Sequence, residues 1–170
     1  MIHARDYAPP TWLQGPHVQS VLSSSRLRRS RGARALARLG TQTTEMILDA
    51  GDGVRLQGFH STLPRPQRGL VLLLHGWEGS SESCYMLHTA AVLLEAGFDV
   101  FRLNFRDHGD THHLNEDLFH SCRLREVLHA ARVVAERIAV RPFLAAGYSL
   151  GGNFALRIAL HAPAGNIPLS

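Results

Sequence analysis

The stretch Gly147–Gly152, "GYSLGG", decides the interpretation of this chain, because it places a serine between glycines where one sequence pattern gives way to another. The apolar run before it predicts a buried strand, and Leu150–Ala162 after it has the apolar spacing of a helix. A G-x-S-x-G sequence at a strand-to-helix turn is typical of a nucleophile elbow, which requires small residues at Gly147 and Gly151. We therefore predict that Ser149 is a nucleophile; a plain helix N-cap is the alternative.

Away from this turn, short apolar runs alternate with helical patterns. Leu70–Leu74 is continuously apolar, as expected of a strand buried on both faces, and apolar residues recur at helical spacing from Leu124 to Ile138. A helix over 85–96 and a strand over 98–105 lie between them. The runs "TEMILDA" and "VRLQGFH" flank a Gly-Asp-Gly turn and predict a hairpin. This order predicts an α/β fold with a mostly parallel sheet, helices on both faces and an antiparallel N-terminal hairpin.

Length and composition indicate one globular domain of 170 residues, with 45% hydrophobic and 19% charged residues. We divide it into an irregular arm, residues 1–40, with one short helix, and a domain over 41–170. The first residues lack the apolar core of a secretory signal, and no apolar run is long enough for a bilayer. Cys84 and Cys122 match no metal or redox spacing and are expected to be buried, reduced thiols, which suits a cytoplasmic protein.

The basic residues are all arginine, which excludes phosphate-binding loops that require lysine. Six of the 18 fall within Arg26–Arg38. Such a cluster is most often a solvated helical face, and a weak contact with an anionic membrane surface is the alternative that we retain. No aromatic residue interleaves the cluster to stack on bases, so we expect no nucleic-acid partner.

Two further segments carry candidate chemistry. The pair His75-Gly76 follows the central strand, and one backbone N–H of this loop, together with that of Leu150, would hold an oxyanion; a plain strand-to-helix loop is the alternative. Downstream lies a segment rich in histidine and aspartate, which invites a metal interpretation. It has no standard metal-site spacing, so we expect a loop at the mouth of the site, with no metal and no cofactor. The histidines and aspartates that suggest this interpretation are Asp107, His108, Asp110, His112, His113 and His120.

The order of these motifs resembles the α/β-hydrolase superfamily, and within it the YheT-like branch of esterases. The motifs are "HGWEGS" after one strand, "NFR" at Asn104–Arg106 after the next, and "GYSLGG". The arm supports the resemblance through Pro10, Trp12, Leu13, His17 and Gln19, as does the pair His120-Ser121. Pro16 and Asp107 depart from the branch pattern, and a glycine is commoner at the second position.

By this resemblance the chain is a serine carboxylic ester hydrolase acting on short acyl esters or monoacylglycerols. Ser149 would be the nucleophile, the backbones of Trp77 and Leu150 would form the oxyanion hole, and His75 and Gly76 would support the loop. The ester would be cleaved through an acyl-enzyme.

The remaining partners of the serine are not evident. In this superfamily the acid and then the histidine follow the serine along the chain. The only later histidine, His161, lies about 18 Å away if residues 150–161 are helical, and neither His75 nor His120 is a convincing base. We therefore expect the acid and base beyond residue 170, and the chain to be the N-terminal part of a hydrolase. The alternative is a catalytically incomplete interaction module.

Overall fold

A computed structural model of the chain describes residues 8–23, 25–138 and 140–170. A 3-10 turn at Thr11–Leu13 comes first. The helices are α1 (Pro16–Ser23), α2 (Arg26–Arg38), α3 (Cys84–Glu95), α4 (Leu124–Ile138) and α5 (Leu150–His161). The strands are β1 (Gln42–Asp49), β2 (Arg55–Thr62), β3 (Leu70–Leu74), β4 (Asp99–Leu103) and β5 (Phe143–Gly147). No helix in these ranges combines the length and apolar composition needed to span a bilayer.

The five strands form one mixed sheet in the order β1-β2-β4-β3-β5. β3 pairs in parallel with β4 on one side and with β5 on the other. β1 and β2 form the antiparallel hairpin, and β2 also runs antiparallel to β4. The predicted α/β class and the antiparallel N-terminal hairpin are thus confirmed, and the carboxyl ends of β3, β4 and β5 meet at one edge.

Helices cover both faces of the sheet, because successive side chains of each strand point to opposite sides. On β3, Leu72 and Leu74 join the larger core formed with α4 and α5, whereas Leu73 joins a smaller core with α3. The side chains of β4 are distributed between the two cores in the same way, with Phe101 in the larger core and Val100 in the smaller one. Two apolar layers therefore hold β3 and β4 rigidly under the loops that follow them.

The N-terminal residues are more regular than the sequence pattern indicates. They form two helices, and α2 packs on α3 through Leu36, which is buried, and Gly32. A Cβ at Gly32 would lie only 2.8 Å from the Cβ of Leu87. The Ser25 hydroxyl caps α2 by accepting from the N–H of Arg28. Because the buried residues of α2 are one glycine and one leucine among arginines, the helix shows little hydrophobic periodicity in the sequence.

β5 is the last of the five strands, and its outer side is paired at one point only. A parallel bridge joins Phe143 to Leu169, and the backbone N–H of Ser170 donates to the carbonyl of Phe143 at 2.9 Å. The sequence predicts a neighbour on each side of this strand. In the structure its residues after Phe143 are only partly buried, whereas every residue of β3 and β4 is buried.

Candidate active site

Ser149 occupies the tight turn between β5 and α5. Its backbone has φ +50° and ψ −114°, a conformation that residues other than glycine rarely adopt and that is typical of strained functional positions. The side chain is exposed, and its hydroxyl makes no hydrogen bond within the described residues. The turn therefore presents an unengaged hydroxyl at the N-terminus of a twelve-residue helix, where the helix dipole favours negative charge.

Gly147 and Gly151, on either side of Ser149, are in close contact with backbone atoms of other residues. A Cβ at Gly147 would lie 2.3 Å from the carbonyl oxygen of Gly151. A Cβ at Gly151 would lie 2.4 Å from the carbonyl oxygens of both Leu74 and His75. No side chain fits at either position, so this close approach brings the start of α5 against the end of β3.

The loop after β3 lies directly beside the turn. A Cβ at Gly76 would lie 3.3 Å from the carbonyl oxygen of Tyr148 and 3.5 Å from the Cβ of Ser149. The next residue, Trp77, lines the same cleft as Ser149 and Leu150. Within the described residues, neither the N–H of Trp77 nor that of Leu150 has an acceptor. Two residues with unengaged backbone donors, one from each loop, therefore line the same cleft as Ser149.

An open cleft of about 760 Å³ surrounds Ser149. It is lined by Trp77, Ser121, Cys122, Ser149, Leu150, Asn153 and Arg157, so no histidine or carboxylate of the described residues lines it. Cys122, expected to be buried, is exposed here, whereas Cys84 is buried as expected. Sequence reasoning missed Cys122, Asn153 and Arg157 as cleft residues. Only the spacing of Asn153 and Arg157 along α5, four and eight positions after Ser149, could have indicated them.

Arg157 explains why a distant loop forms part of the cleft. Its Nη1 donates to the carbonyl of Ser121 at 2.6 Å, and its guanidinium lies 5.1 Å from the ring centroid of Phe154. This places the segment before α4 next to the first turns of α5.

His75 is fully buried and has a structural role. Its Nε2 must accept, because the backbone N–H of Phe105 points to it at 3.1 Å; its Nδ1 therefore carries the proton and donates to the carbonyl of Gly76 at 2.7 Å. Burial lowers the pKa of this imidazole to about 4. Both ring nitrogens are engaged in holding the loop after β3 to the end of β4, so His75 cannot serve Ser149 as a base.

Two other histidines are also unsuitable as the base. One is too far from Ser149, and no hydrogen bond orients the side chain of the other. His161 is the last residue of α5, about 18 Å along the helix from Ser149. His120 directly precedes the cleft residues Ser121 and Cys122, but its side chain is exposed and makes no hydrogen bond within the described residues. The structure thus places Ser149, Trp77 and Leu150 in one cleft, and no histidine or carboxylate of the described residues lines that cleft with them. His108 and His112 line a neighbouring cleft on the other side of Trp77.

The histidine-rich segment forms a loop beside Trp77. His112 pairs with Asp107, and the Nδ1 of His108 donates to the carbonyl of Arg106 at 2.8 Å. Asp107 has φ +58°, a conformation that favours glycine, as its departure from the branch pattern suggests. The other titratable residues of the segment, Asp110, His113 and His120, are exposed. In the part of the chain that the structure describes, no three His, Cys, Asp or Glu side chains converge on a common point.

The "NFR" motif is buried and holds the loops in place. The Oδ1 of Asn104 accepts from the N–H of Ser81 at 2.6 Å, which fixes the loop before α3. Arg106 and Glu126 form a buried ion pair, with Nε and Nη2 donating to Oε2 at 3.1 and 2.7 Å. These residues position the walls of the site without facing the cleft.

Comparison with known proteins agrees with this geometry. A family model described as the alpha/beta hydrolase fold matches residues 69–165. Esterase Est22 superposes with a TM-score of 0.68 at 16% identity, over 92% of this chain and 50% of its own. The Pyrococcus furiosus esterase Pf2001 gives a TM-score of 0.61 at 19% identity, over 71% of this chain and 48% of its own.

The hyperthermophilic esterase from the archaeon Pyrobaculum calidifontis gives a TM-score of 0.58 at 18% identity, over 82% and 47% of the two chains. At these identities the likeness shows a shared fold. The chain spans about half the length of these solved structures, and no curated protein sequence matches it. With more than half of its residues matched by the family model, the chain belongs to the alpha/beta hydrolase fold family.

Proposed function

We propose that this chain carries the nucleophile and oxyanion-binding half of a serine carboxylic ester hydrolase site. One observation carries the proposal: the exposed Ser149 hydroxyl, on a strained turn at a helix N-terminus, stands beside the unengaged N–H groups of Trp77 and Leu150. Backbone donors of this kind stabilise charge that develops on a substrate carbonyl oxygen. The substrate is a small acyl ester.

The reaction follows from these groups. The oxygen of Ser149 attacks the ester carbonyl, and the N–H groups of Trp77 and Leu150 hold the resulting oxyanion. The intermediate collapses to an acyl-enzyme as the alcohol leaves, and water then releases the acid. A base must take the proton of the serine and deliver it to the leaving alcohol.

The reaction also needs a general base and an acid that orients it. The cleft lining in the described residues contains no histidine or carboxylate, and His75 is fully engaged. We assign both groups to residues outside these 170, in agreement with the coverage of about half of each esterase structure. Without a base, the rate should be lower by about 10⁶-fold, the cost of removing that group from a serine triad.

The finer assignment is to the YheT-like branch, with short acyl esters or monoacylglycerols as substrates. It is supported by the "NFR" motif and by the His120-Ser121 pair at the cleft wall. We place the protein in the cytoplasm, since neither Cys84 nor Cys122 is in a disulfide.

A second candidate is a non-catalytic interaction module. It is favoured by one observation, the absence of a base from the described cleft lining around Ser149. It differs from the first in a measurable property, because an interaction module needs no reactive serine.

The test is covalent labelling by a fluorophosphonate, read by intact mass, with and without added imidazole. We expect slow labelling of the 170-residue chain that imidazole accelerates, because imidazole supplies the missing base. Ser149→Ala should abolish the adduct, and Ser121→Ala, a serine of the same cleft, should retain it. Rapid labelling without imidazole would contradict the assignment of the base to another segment. A folded chain that stays unlabelled under both conditions would favour the interaction module, and an adduct on another serine would refute Ser149 as the nucleophile.

A further inference from the structure

The N-terminal helices carry a dense positive charge that forms no ion pair among the described residues. No acidic residue occurs between Asp6 and Glu45, whereas six arginines occur in α2. All six side chains are exposed, and none has an acidic partner within 4 Å in the described residues. A field of one sign without counter-charges favours an anionic partner surface.

The outward face of α2 combines this charge with an exposed leucine. Leu27, Arg31, Arg34 and Arg38 recur at intervals of four, three and four residues, and therefore share one face of the helix. That face lies opposite to Gly32 and Leu36, which pack on α3. The leucine is 59% exposed although its helix is docked on the domain.

The preceding segment exposes large apolar side chains. Trp12 is 67% exposed and Val21 is 71% exposed, and no residue of the 3-10 turn is buried. In α1 no residue from Pro16 to Leu22 is buried either. An eight-residue helix without a packed face is marginal in water, so an apolar environment outside the domain would stabilise it.

From this combination we infer that the exposed side chains of residues 11–22 and 26–38 form a docking surface for an anionic lipid bilayer. A membrane surface meets both properties: lipid phosphates attract the guanidinium groups, and the acyl boundary accepts Trp12, Val21 and Leu27. Nucleic acid would account only for the positive charge. The exposed apolar side chains would make no favourable contact with phosphates, and α2 contains no aromatic residue to stack on bases. The inference does not depend on the proposed hydrolase activity.

The charge contribution is tested with vesicles of phosphatidylcholine alone and of equal parts phosphatidylcholine and phosphatidylglycerol. The chain should bind the anionic vesicles only, and more weakly as salt rises. Replacing Arg31, Arg34 and Arg38 by Gln should weaken binding by about 100-fold, since each surface arginine contributes roughly fivefold. The matched control changes three exposed arginines away from this surface, Arg125, Arg137 and Arg141, to Gln. Both triple variants lower the net charge by three, but only the first should lose binding.

The apolar contribution is tested separately. In a Trp77→Phe background, Trp12 is the only tryptophan, and its fluorescence should shift to the blue and be quenched by brominated lipid. Replacing Val21 and Leu27 by Ser should weaken binding, whereas the same change at Leu156 and Leu160, exposed leucines of α5, should not.

Three results would overturn the inference: equal loss of binding in both arginine variants, an unshifted Trp12 at saturating lipid, or no vesicle binding by a chain with a normal circular dichroism spectrum. Tighter binding to duplex DNA than to anionic vesicles, unchanged by Val21→Ser and Leu27→Ser, would assign the surface to nucleic acid instead.

Discussion

The buried histidine of the loop after β3 predicts a specific acid sensitivity. In the folded chain the Nε2 of His75 accepts from the backbone of Phe105, so a proton there removes an acceptor and places a charge where no solvent reaches. Burial therefore lowers the pKa of His75 to about 4, against 6.5 in an unfolded chain. Above pH 6.5 the imidazole is neutral in both states. As the pH falls from 6.5 towards 4, the unfolded state binds the proton first, and the folded state loses stability.

The magnitude follows from the interval between the two pKa values. At 1.36 kcal/mol per pKa unit, the interval from 6.5 to about 4 corresponds to about 3 kcal/mol of unfolding free energy. The free energy of unfolding of a typical domain is about 5–15 kcal/mol. If this domain lies at the low end of that range, protonation of His75 alone would remove roughly half of its stability.

The assay is urea unfolding between pH 7 and pH 4, comparing the chain with His75→Gln. Glutamine keeps an acceptor and a donor but does not titrate, so this variant should be less stable at pH 7 and should lose about 3 kcal/mol less on acidification. His113→Gln removes an exposed imidazole and should show the slope of the unaltered chain. Parallel loss of stability in the His75 variant and the unaltered chain would refute the buried-histidine argument.

Three further predictions rest on packing, charge and exposure. Gly151→Ala should lower stability by more than about 3 kcal/mol in thermal unfolding, because its Cβ would lie 2.4 Å from two backbone oxygens, whereas Gly165→Ala, with its nearest contact at 3.4 Å, should change it little. Glu126→Gln removes the buried carboxylate that pairs with Arg106 and leaves the guanidinium only its longer contact with exposed Asp117 at 3.4 Å, so it should cost up to about 3 kcal/mol in urea unfolding; a change below 1 kcal/mol would contradict this role. A thiol reagent should modify exposed Cys122 in the native chain and buried Cys84 only on unfolding, and the Cys122 adduct should slow fluorophosphonate labelling by narrowing the cleft. Equal reactivity of both thiols would count against the described burial.

The sequence predicted those elements whose own residues carry a strong pattern. The strand within the run of residues 69–76 and the helix whose apolar residues run from Leu124 to Ile138 were both predicted, because continuous and helical apolar patterns are local properties. The turn at Ser149 was predicted for the same reason, since glycines on both sides are required by backbone approaches that the structure shows. In contrast, α2 was treated as part of an irregular arm, because its docking relies on Gly32 and Leu36 and its other positions are mostly arginine.

What the sequence by itself determined is therefore the α/β class, the order of its elements and the identity of the serine at the turn. Only the tertiary structure decided which distant residues share its cleft. Arg157 donates to the carbonyl of Ser121, 36 residues away, in the cleft that also contains Cys122 and Ser149. Phe105 and Gly76 together engage the two ring nitrogens of His75, so that neither is available to Ser149. The physical reason is that periodicity and turn chemistry act between neighbouring residues, whereas convergence at a site depends on packing and hydrogen bonds between segments far apart in the chain.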